Sequence, residues 1–155
     1  MSDLRSLYQE MILDHYKAPR NFEALPDPVR KAKGNNPLCG DQIEVFVDLD
    51  GDTVRRVGFQ GHGCAISTAS ASLMTEIAEG MSRAEIEELG NQFREVVTGK
   101  REMQGGEDLG KLEALLGVRE YPIRIKCATL AWHALAAALD SEPTASEVPS
   151  VSTEN

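Results

Sequence analysis

Hydrophobic positions in the first half of the chain predict one helix followed by a short antiparallel meander. From Leu4 onward, apolar residues recur every three or four positions until Ala18, the pattern of an amphipathic helix. Residues 20–40 are rich in proline, glycine and asparagine and predict loops, with a short strand near 29–33. From residue 43 to 49 apolar and polar residues alternate, Asp50-Gly51 gives a hairpin signal, and the chain returns as a second strand.

The second half of the chain predicts helices only. A run of small and hydroxyl residues over 64–78 predicts a helix that packs closely on its neighbours, and Ser82 begins a capping box for the next helix. Short helices are predicted at 91–98 and 109–116, separated by glycines, and a last helix at 127–139. Strands followed by a run of helices favour an α+β fold with the helices on one face of the sheet.

Length and composition describe one globular domain with a polar end. The chain has 155 residues, 41% of them hydrophobic, and a formal net charge of -9. We expect residues 1–140 to form the domain and residues 141–155, rich in Ser, Thr, Pro and Glu, to be a disordered tail. The acidic charge argues against nucleic acid and membrane partners, and no apolar run approaches a membrane span. Without a signal-peptide pattern, and with only three cysteines, we expect a cytoplasmic protein.

Three cysteines and an aspartate are the candidate chemical groups. Cys39, Cys64 and Cys127 lie far apart in the chain, and Asp41 follows the first of them by two residues. This spacing excludes a zinc ribbon or a CxxC redox pair. Three thiolates and a carboxylate that came together in the fold would supply the four ligands of a tetrahedral zinc ion. From the residues alone, a metal or thiol-chemistry site and three buried structural cysteines remain equal alternatives.

The three cysteines are predicted in different local settings. Cys64 and Cys127 are each predicted to begin a helix, where the free N–H groups of the helix N-terminus lower the pKa of a thiol. Cys39 is predicted on a loop beside a glycine, where it is able to move. Arg124 and Lys126 flank the third cysteine and are candidates for offsetting the negative charge of a metal site, against the alternative of ordinary exposed charges.

The histidines are weaker candidates. His62 precedes the second cysteine by two residues and ranks below Asp41 as a ligand, because the intervening glycine predicts a turn. His133 follows the third cysteine by six residues, which turns it away from that face of the helix. His15, at the end of the first helix, is expected to cap that helix or to reach a partner.

Four sequence motifs resemble the U-type iron–sulfur cluster assembly proteins, the family of IscU, SufU and the NifU N-terminal domain. The motifs are DHYKAPRN at 14–21, NPLCGD at 36–41, GHGCAISTAS at 61–70 and IKCA at 125–128. The resemblance extends from about Leu4 to Leu139.

Three departures from the IscU branch resemble the SufU branch instead. Lys126 occupies the position where the IscU branch carries a histidine ligand. Residues 120–124 differ from the chaperone-recognition segment of that branch. The stretch between the second and third cysteines is also longer, with the extra segment at 105–120.

The resemblance implies a three-stranded antiparallel sheet with helices on one face, and a zinc ion held by Cys39, Asp41, Cys64 and Cys127. It implies a sulfur carrier rather than a stand-alone enzyme. This carrier accepts persulfide sulfur from a SufS-type, PLP-dependent cysteine desulfurase and passes it to a SufBCD-type scaffold. In the family picture a desulfurase histidine replaces Cys39 on the zinc, and the freed thiolate attacks the persulfide.

Arg124 is a second candidate catalytic residue, which would steer the persulfide. Two alternative functions stay open. One is a scaffold on which a 2Fe–2S cluster is assembled by the same cysteines, with iron in place of zinc. The other is a non-catalytic, zinc-stabilised adaptor whose ligands are inert.

Overall fold

The computed structural model describes residues 2–26, 28–38, 40–100, 109–143 and 150–152 of the chain. Its elements follow one another as α1 Ser2–Lys17, β1 Arg30–Asn36, β2 Asp41–Asp50, β3 Thr53–His62, α2 Ala65–Ala78, α3 Arg83–Val97, a 3₁₀ helix Gly110–Glu120, α4 Pro122–Leu139 and β4 Ser150–Ser152. In these described ranges, none of the helices combines the length and the apolar character needed to cross a membrane.

The four strands form one mixed sheet in the order β3-β2-β1-β4. The first three are antiparallel neighbours, as the predicted meander requires, and Gly51 closes the hairpin between β2 and β3 with a φ of 64°. β4 pairs with β1 in parallel. The expectation of a three-stranded, purely antiparallel sheet is therefore wrong. Three residues of the expected disordered tail form this fourth strand, because the outer edge of β1 offers unpaired backbone N–H and C=O groups.

Helices cover one face of the sheet, as predicted. Ile43, Val45 and Val47 alternate along β2 onto this face and are buried against the helices. α4 packs on β1 and β2, α2 packs on β3, and α1 and α3 pack on these two helices. On the opposite face, Phe46 packs with Leu25 of the loop before β1. The helical face therefore holds the main core, and the loop covers only part of the other face.

Two helices, α3 and α4, have bounds that differ from those predicted from the sequence. α3 runs unbroken through Gly90, where an added Cβ would lie 3.3 Å from a ring carbon of Trp132. α4 begins at Pro122, because proline is favoured in the first turn of a helix, where the N–H it lacks has no partner to lose. Cys127 therefore lies inside α4, more than one turn from its start. The prediction that Cys127 begins a helix is wrong.

Candidate metal centre

Three side chains from three separate elements meet at one end of the sheet. Asp41 begins β2, Cys64 directly precedes α2, and Cys127 lies inside α4. One ligand atom from each residue lies within 4.8 Å of the other two. Asp41 and Cys127 are fully buried, and Cys64 is partly buried. The fold therefore brings together three of the four candidate ligands, which the sequence separates by up to 86 positions (127 − 41).

The turn between β3 and α2 shapes the site around the carboxylate. Cys64 is the N-cap of α2, and its Sγ accepts the backbone N–H of Ser67 at 3.4 Å. The backbone N–H of Cys64 in turn donates to Asp41 Oδ1 at 2.8 Å. Gly63 leaves the space that this contact needs, since an added Cβ would lie 2.7 Å from the same oxygen. The prediction that Cys64 begins a helix is confirmed, and the turn holds the Asp41 carboxylate in place.

The surroundings of Cys64 lower the pKa of its thiol to about 6. The largest cause is a hydrogen bond with the side chain of Cys127, and the backbone N–H groups of Ile66 and Ser67 also lower this pKa. Burial and the negative charge of Asp41 raise it, and they are outweighed. A thiol with this pKa is mostly thiolate at neutral pH, which is the form that binds a metal ion.

Asn36 is a residue of the site that the sequence reasoning missed. It ends β1, pairs in register with Asp41 and is fully buried. Its Nδ2 lies 3.4 Å from Asp41 Oδ2 and 3.6 Å from Cys127 Sγ. In the sequence the residue is only the asparagine of an Asn-Pro turn signal, and nothing local indicates that its side chain faces two candidate ligands.

Of the two candidate catalytic residues, only Arg124 lies in the part of the chain that the structure describes. Cys39 lies outside the described residues, and in the chain it precedes Asp41 by two positions. Arg124 is exposed in the first turn of α4 and lines a cavity of about 760 Å³ together with Ile66 and Tyr121. Ile66 lies in the first turn of α2 and follows Cys64 by two residues, so one lining residue of the cavity is near the second cysteine in the chain.

The histidines have other positions and contacts. His62 is exposed at the end of β3 and is not part of the three-residue cluster found in the described ranges. His15 is buried, and its Nδ1 lies 2.7 Å from Ser72 Oγ, so it ties α1 to α2. His133 is partly buried in α4. The ranking of His62 below Asp41 therefore agrees with the geometry of the cluster.

The side chains of Asp41, Cys64 and Cys127 fit a metal ion that prefers soft ligands such as thiolates. Two thiolates with one carboxylate favour zinc or iron–sulfur chemistry over magnesium or calcium, which prefer oxygen ligands. Cys64 Sγ lies 4.0 Å from Asp41 Oδ2, and the three ligand atoms all lie within 4.8 Å of one another. Asp41, Cys64 and Cys127 could therefore hold one ion, and a tetrahedral zinc would take a fourth ligand.

The family model for the NifU-like N terminal domain matches residues 7–142, and the chain belongs to this family. It is 46% identical over 134 residues to the zinc-dependent sulfurtransferase SufU of Bacillus subtilis. The aligned region covers 86% of this chain and 90% of that protein. The chain is 43% identical over 139 residues to the iron–sulfur cluster assembly scaffold protein IscU of Streptococcus pyogenes, covering 90% of this chain and 86% of that protein.

A solved structure has the same fold. The crystal structure of a Fervidobacterium islandicum protein, assigned as an iron–sulfur cluster assembly scaffold of the SUF system, superposes with a TM-score of 0.76 at 32% identity. The superposition covers 81% of this chain and 91% of the Fervidobacterium islandicum chain. The resemblance inferred from the four sequence motifs is confirmed, and so is the α+β class of the fold.

Proposed function

We propose that this protein is a zinc-dependent sulfur-transfer protein of iron–sulfur cluster biogenesis. In this proposal Cys39 accepts persulfide sulfur from a SufS-type cysteine desulfurase, and the sulfur then passes to an assembly scaffold of the SufBCD type. The observation that carries the proposal is the convergence of Asp41, Cys64 and Cys127. Three such ligands would retain an ion while Cys39 takes part in transfer. The name of the Bacillus subtilis relative supports the choice of zinc.

The four candidate ligands would have unequal roles. A bound zinc ion would keep its cysteine ligands deprotonated. Asp41 and Cys127 are buried in a strand and a helix that pack against each other. The chain neighbours of Cys39 are both exposed, with Leu38 at 61%. We therefore assign Cys39 to sulfur transfer and the other three residues to holding the metal.

The transfer step is an exchange between thiolate and persulfide. The Cys39 thiolate attacks the outer sulfur of the desulfurase persulfide, and a new S–S bond forms on Cys39. The S–S bond of the donor breaks, and its electron pair leaves with the donor thiolate. One S–S bond replaces another, so the step needs no external oxidant or reductant. Arg124 is assigned to attracting the negatively charged persulfide, because its guanidinium is exposed beside the cavity that reaches Ile66.

A scaffold for a 2Fe–2S cluster is the second candidate function. The name of the Streptococcus pyogenes relative favours it, and such clusters are held mainly by cysteine thiolates. Residue 126 favours sulfur transfer instead. The IscU branch has a histidine ligand at this position, and Lys126 here removes one imidazole from the ligand set. We therefore place sulfur transfer first.

One experiment separates the candidate functions. The protein is purified without oxygen, its zinc and iron are measured, and it is added to a cognate desulfurase with cysteine while alanine release is followed. We expect about one zinc per chain and strong stimulation, which Cys39→Ser abolishes. Bound iron with a coloured cluster and little stimulation would support the scaffold. Bound zinc without stimulation of the desulfurase would support the non-catalytic, zinc-stabilised adaptor.

The same desulfurase assay tests the role of Arg124 with a separate pair of variants. Arg124→Ala is compared with Arg55→Ala, which removes another exposed arginine, one that pairs with Asp48 on the β2–β3 hairpin. We expect Arg124→Ala to lower the stimulation while its zinc content stays that of the wild type. Equal stimulation by the two variants would remove Arg124 from the transfer step.

A further inference from the structure

The side chain of Asn36 is a buried amide that contacts two candidate metal ligands. It is fully buried, and a buried amide is costly unless it forms hydrogen bonds. Its Nδ2 lies within reach of Asp41 Oδ2 and of Cys127 Sγ, and an amide nitrogen carries two N–H groups, one for each. Among the described residues its Oδ1 has no hydrogen-bond partner. The contacts of this amide are therefore concentrated on the candidate site.

The chemistry of its two neighbours fixes the orientation of this amide. A carboxylate and a thiolate accept hydrogen bonds and have none to donate. If the amide were reversed, its oxygen would face two negatively charged groups. The nitrogen must therefore point toward Asp41 and Cys127 whenever these residues are in the ionised forms that bind a metal ion.

The position of Asn36 in the fold joins two separate parts of the site. Its backbone carbonyl accepts the N–H of Gly40 at 2.9 Å, which helps to close the turn between β1 and β2. Its side chain reaches from the base of this turn to Cys127 in α4. One residue therefore connects the turn that leads into Asp41 with the helix that carries the third cysteine.

We propose that Asn36 is a positioning residue of the metal centre, whose side-chain N–H groups orient the Asp41 carboxylate and the Cys127 thiolate and stabilise their negative charge. This inference rests on the proposed metal centre but not on the sulfur-transfer step.

The donors that reach the three candidate ligands come from different parts of the fold. Cys64 Sγ accepts the backbone N–H of Ser67 in the first turn of α2, and Asp41 Oδ1 accepts the backbone N–H of Cys64. Cys127 lies inside α4, where backbone N–H groups are used by the helix itself. The side-chain amide of Asn36 lies 3.6 Å from its sulfur and offers it an N–H donor from outside the helix.

The test uses two variants that remove the donors in different ways. Asn36→Ala leaves a space, whereas Asn36→Leu fills the volume with apolar atoms. Asn35→Ala is the matched control, because the adjacent asparagine of β1 points to the opposite side of the strand. Zinc affinity is measured by competition with a chelator. We expect both Asn36 variants to bind zinc about 10- to 100-fold more weakly, and the control to bind as the wild type does.

Spectroscopy separates hydrogen bonding from packing. In the cobalt-substituted proteins, loss of an N–H donor to sulfur should move the sulfur-to-cobalt charge-transfer band to lower energy in both Asn36 variants. A loss of affinity in Asn36→Ala alone, with an unshifted band, would indicate packing and overturn the inference.

A measurement on the wild-type protein does not depend on the folding of any variant. In the protein loaded with cadmium-113, a hydrogen bond from Asn36 to the Cys127 sulfur should produce a scalar coupling between the metal and the Asn36 side-chain amide protons. Absence of this coupling in a protein that binds the metal would overturn the role of Asn36 alone. A wild-type protein that binds no zinc would overturn the proposed metal centre as well.

Discussion

Replacing Gly63 by alanine should disturb the metal centre through a single added methyl group. The Cβ of residue 63 would lie 2.7 Å from Asp41 Oδ1 and 3.2 Å from Asp41 Cβ and Cγ. Gly63 is not among the glycines with positive φ, so alanine fits its backbone conformation. The effect of the substitution therefore comes from contact with Asp41 and not from backbone strain.

The expected loss of stability follows from the contact between the added Cβ and the Asp41 carboxylate. The Asp41 oxygen is 0.7 Å short of the 3.4 Å at which ordinary contact begins, so the carboxylate must turn away. It then loses the 2.8 Å hydrogen bond from the Cys64 N–H. A hydrogen bond to a charged group contributes about 1.5–3 kcal/mol to stability. Replacing glycine by alanine offsets about 0.4–1 kcal/mol of this loss, because alanine lowers the conformational entropy of the unfolded chain. We expect the metal-free protein to lose about 0.5–2.6 kcal/mol of unfolding free energy.

Zinc affinity should fall as well, because the carboxylate that must move is itself a candidate ligand. Ligand positions in metal sites are held within about 0.2 Å, and the required shift of the carboxylate is larger. We expect about a 10- to 100-fold loss of zinc affinity, the size typical of changes beside a metal ligand. Chelator competition gives the affinity, and urea unfolding of the metal-free protein gives the stability.

Two other variants decide whether this reasoning holds. Asp41→Ala removes the carboxylate itself and should weaken zinc binding at least as much as Gly63→Ala. Gly117→Ala is the matched control, because an added Cβ there meets nothing within 4 Å. Zinc binding by Gly63→Ala within about twofold of the wild type, alongside a clear loss in Asp41→Ala, would refute the argument. An equal loss in Gly117→Ala would refute it too.

Three further predictions concern the fold. Burial, and then the Arg20 charge, lower the pKa of His15, so the folded protein disfavours the protonated ring; stability should fall as the pH drops below about 6.5. Urea unfolding from pH 8 to pH 5 should show a weaker pH dependence for His15→Gln, and parallel curves would contradict this. Ser82→Ala removes the capping box of α3 and should cost about 1 kcal/mol by urea unfolding, with zinc affinity unchanged. Gly34→Ala places a Cβ 3.0 Å from Leu130 Cδ1 and should cost about 1–3 kcal/mol, seen as a lower melting temperature; an unchanged value would mean that α4 shifts freely on β1.

The elements that were predicted correctly depend on local chemistry. Alternation along 43–49 predicted β2, and its buried residues face the helices as expected. The Asp50-Gly51 signal predicted the hairpin, and Ser82 predicted the start of α3. Each of these signals acts within a few residues, so a single sequence is enough to find it. Pro122 was a local signal of the same kind, and its preference for the first turn of a helix would have placed Cys127 inside α4.

The sequence by itself determined the ligand types and their spacing, and through the four motifs the family. It also determined that Cys64 caps a helix, because capping depends on adjacent residues. Only the tertiary structure decided that Asp41, Cys64 and Cys127 meet, that Asn36 is buried between two of them, and that Ser150–Ser152 join the sheet. These features depend on the packing of α2 and α4 against the strands. Contacts of this kind join residues far apart in the chain, where local sequence patterns carry no signal.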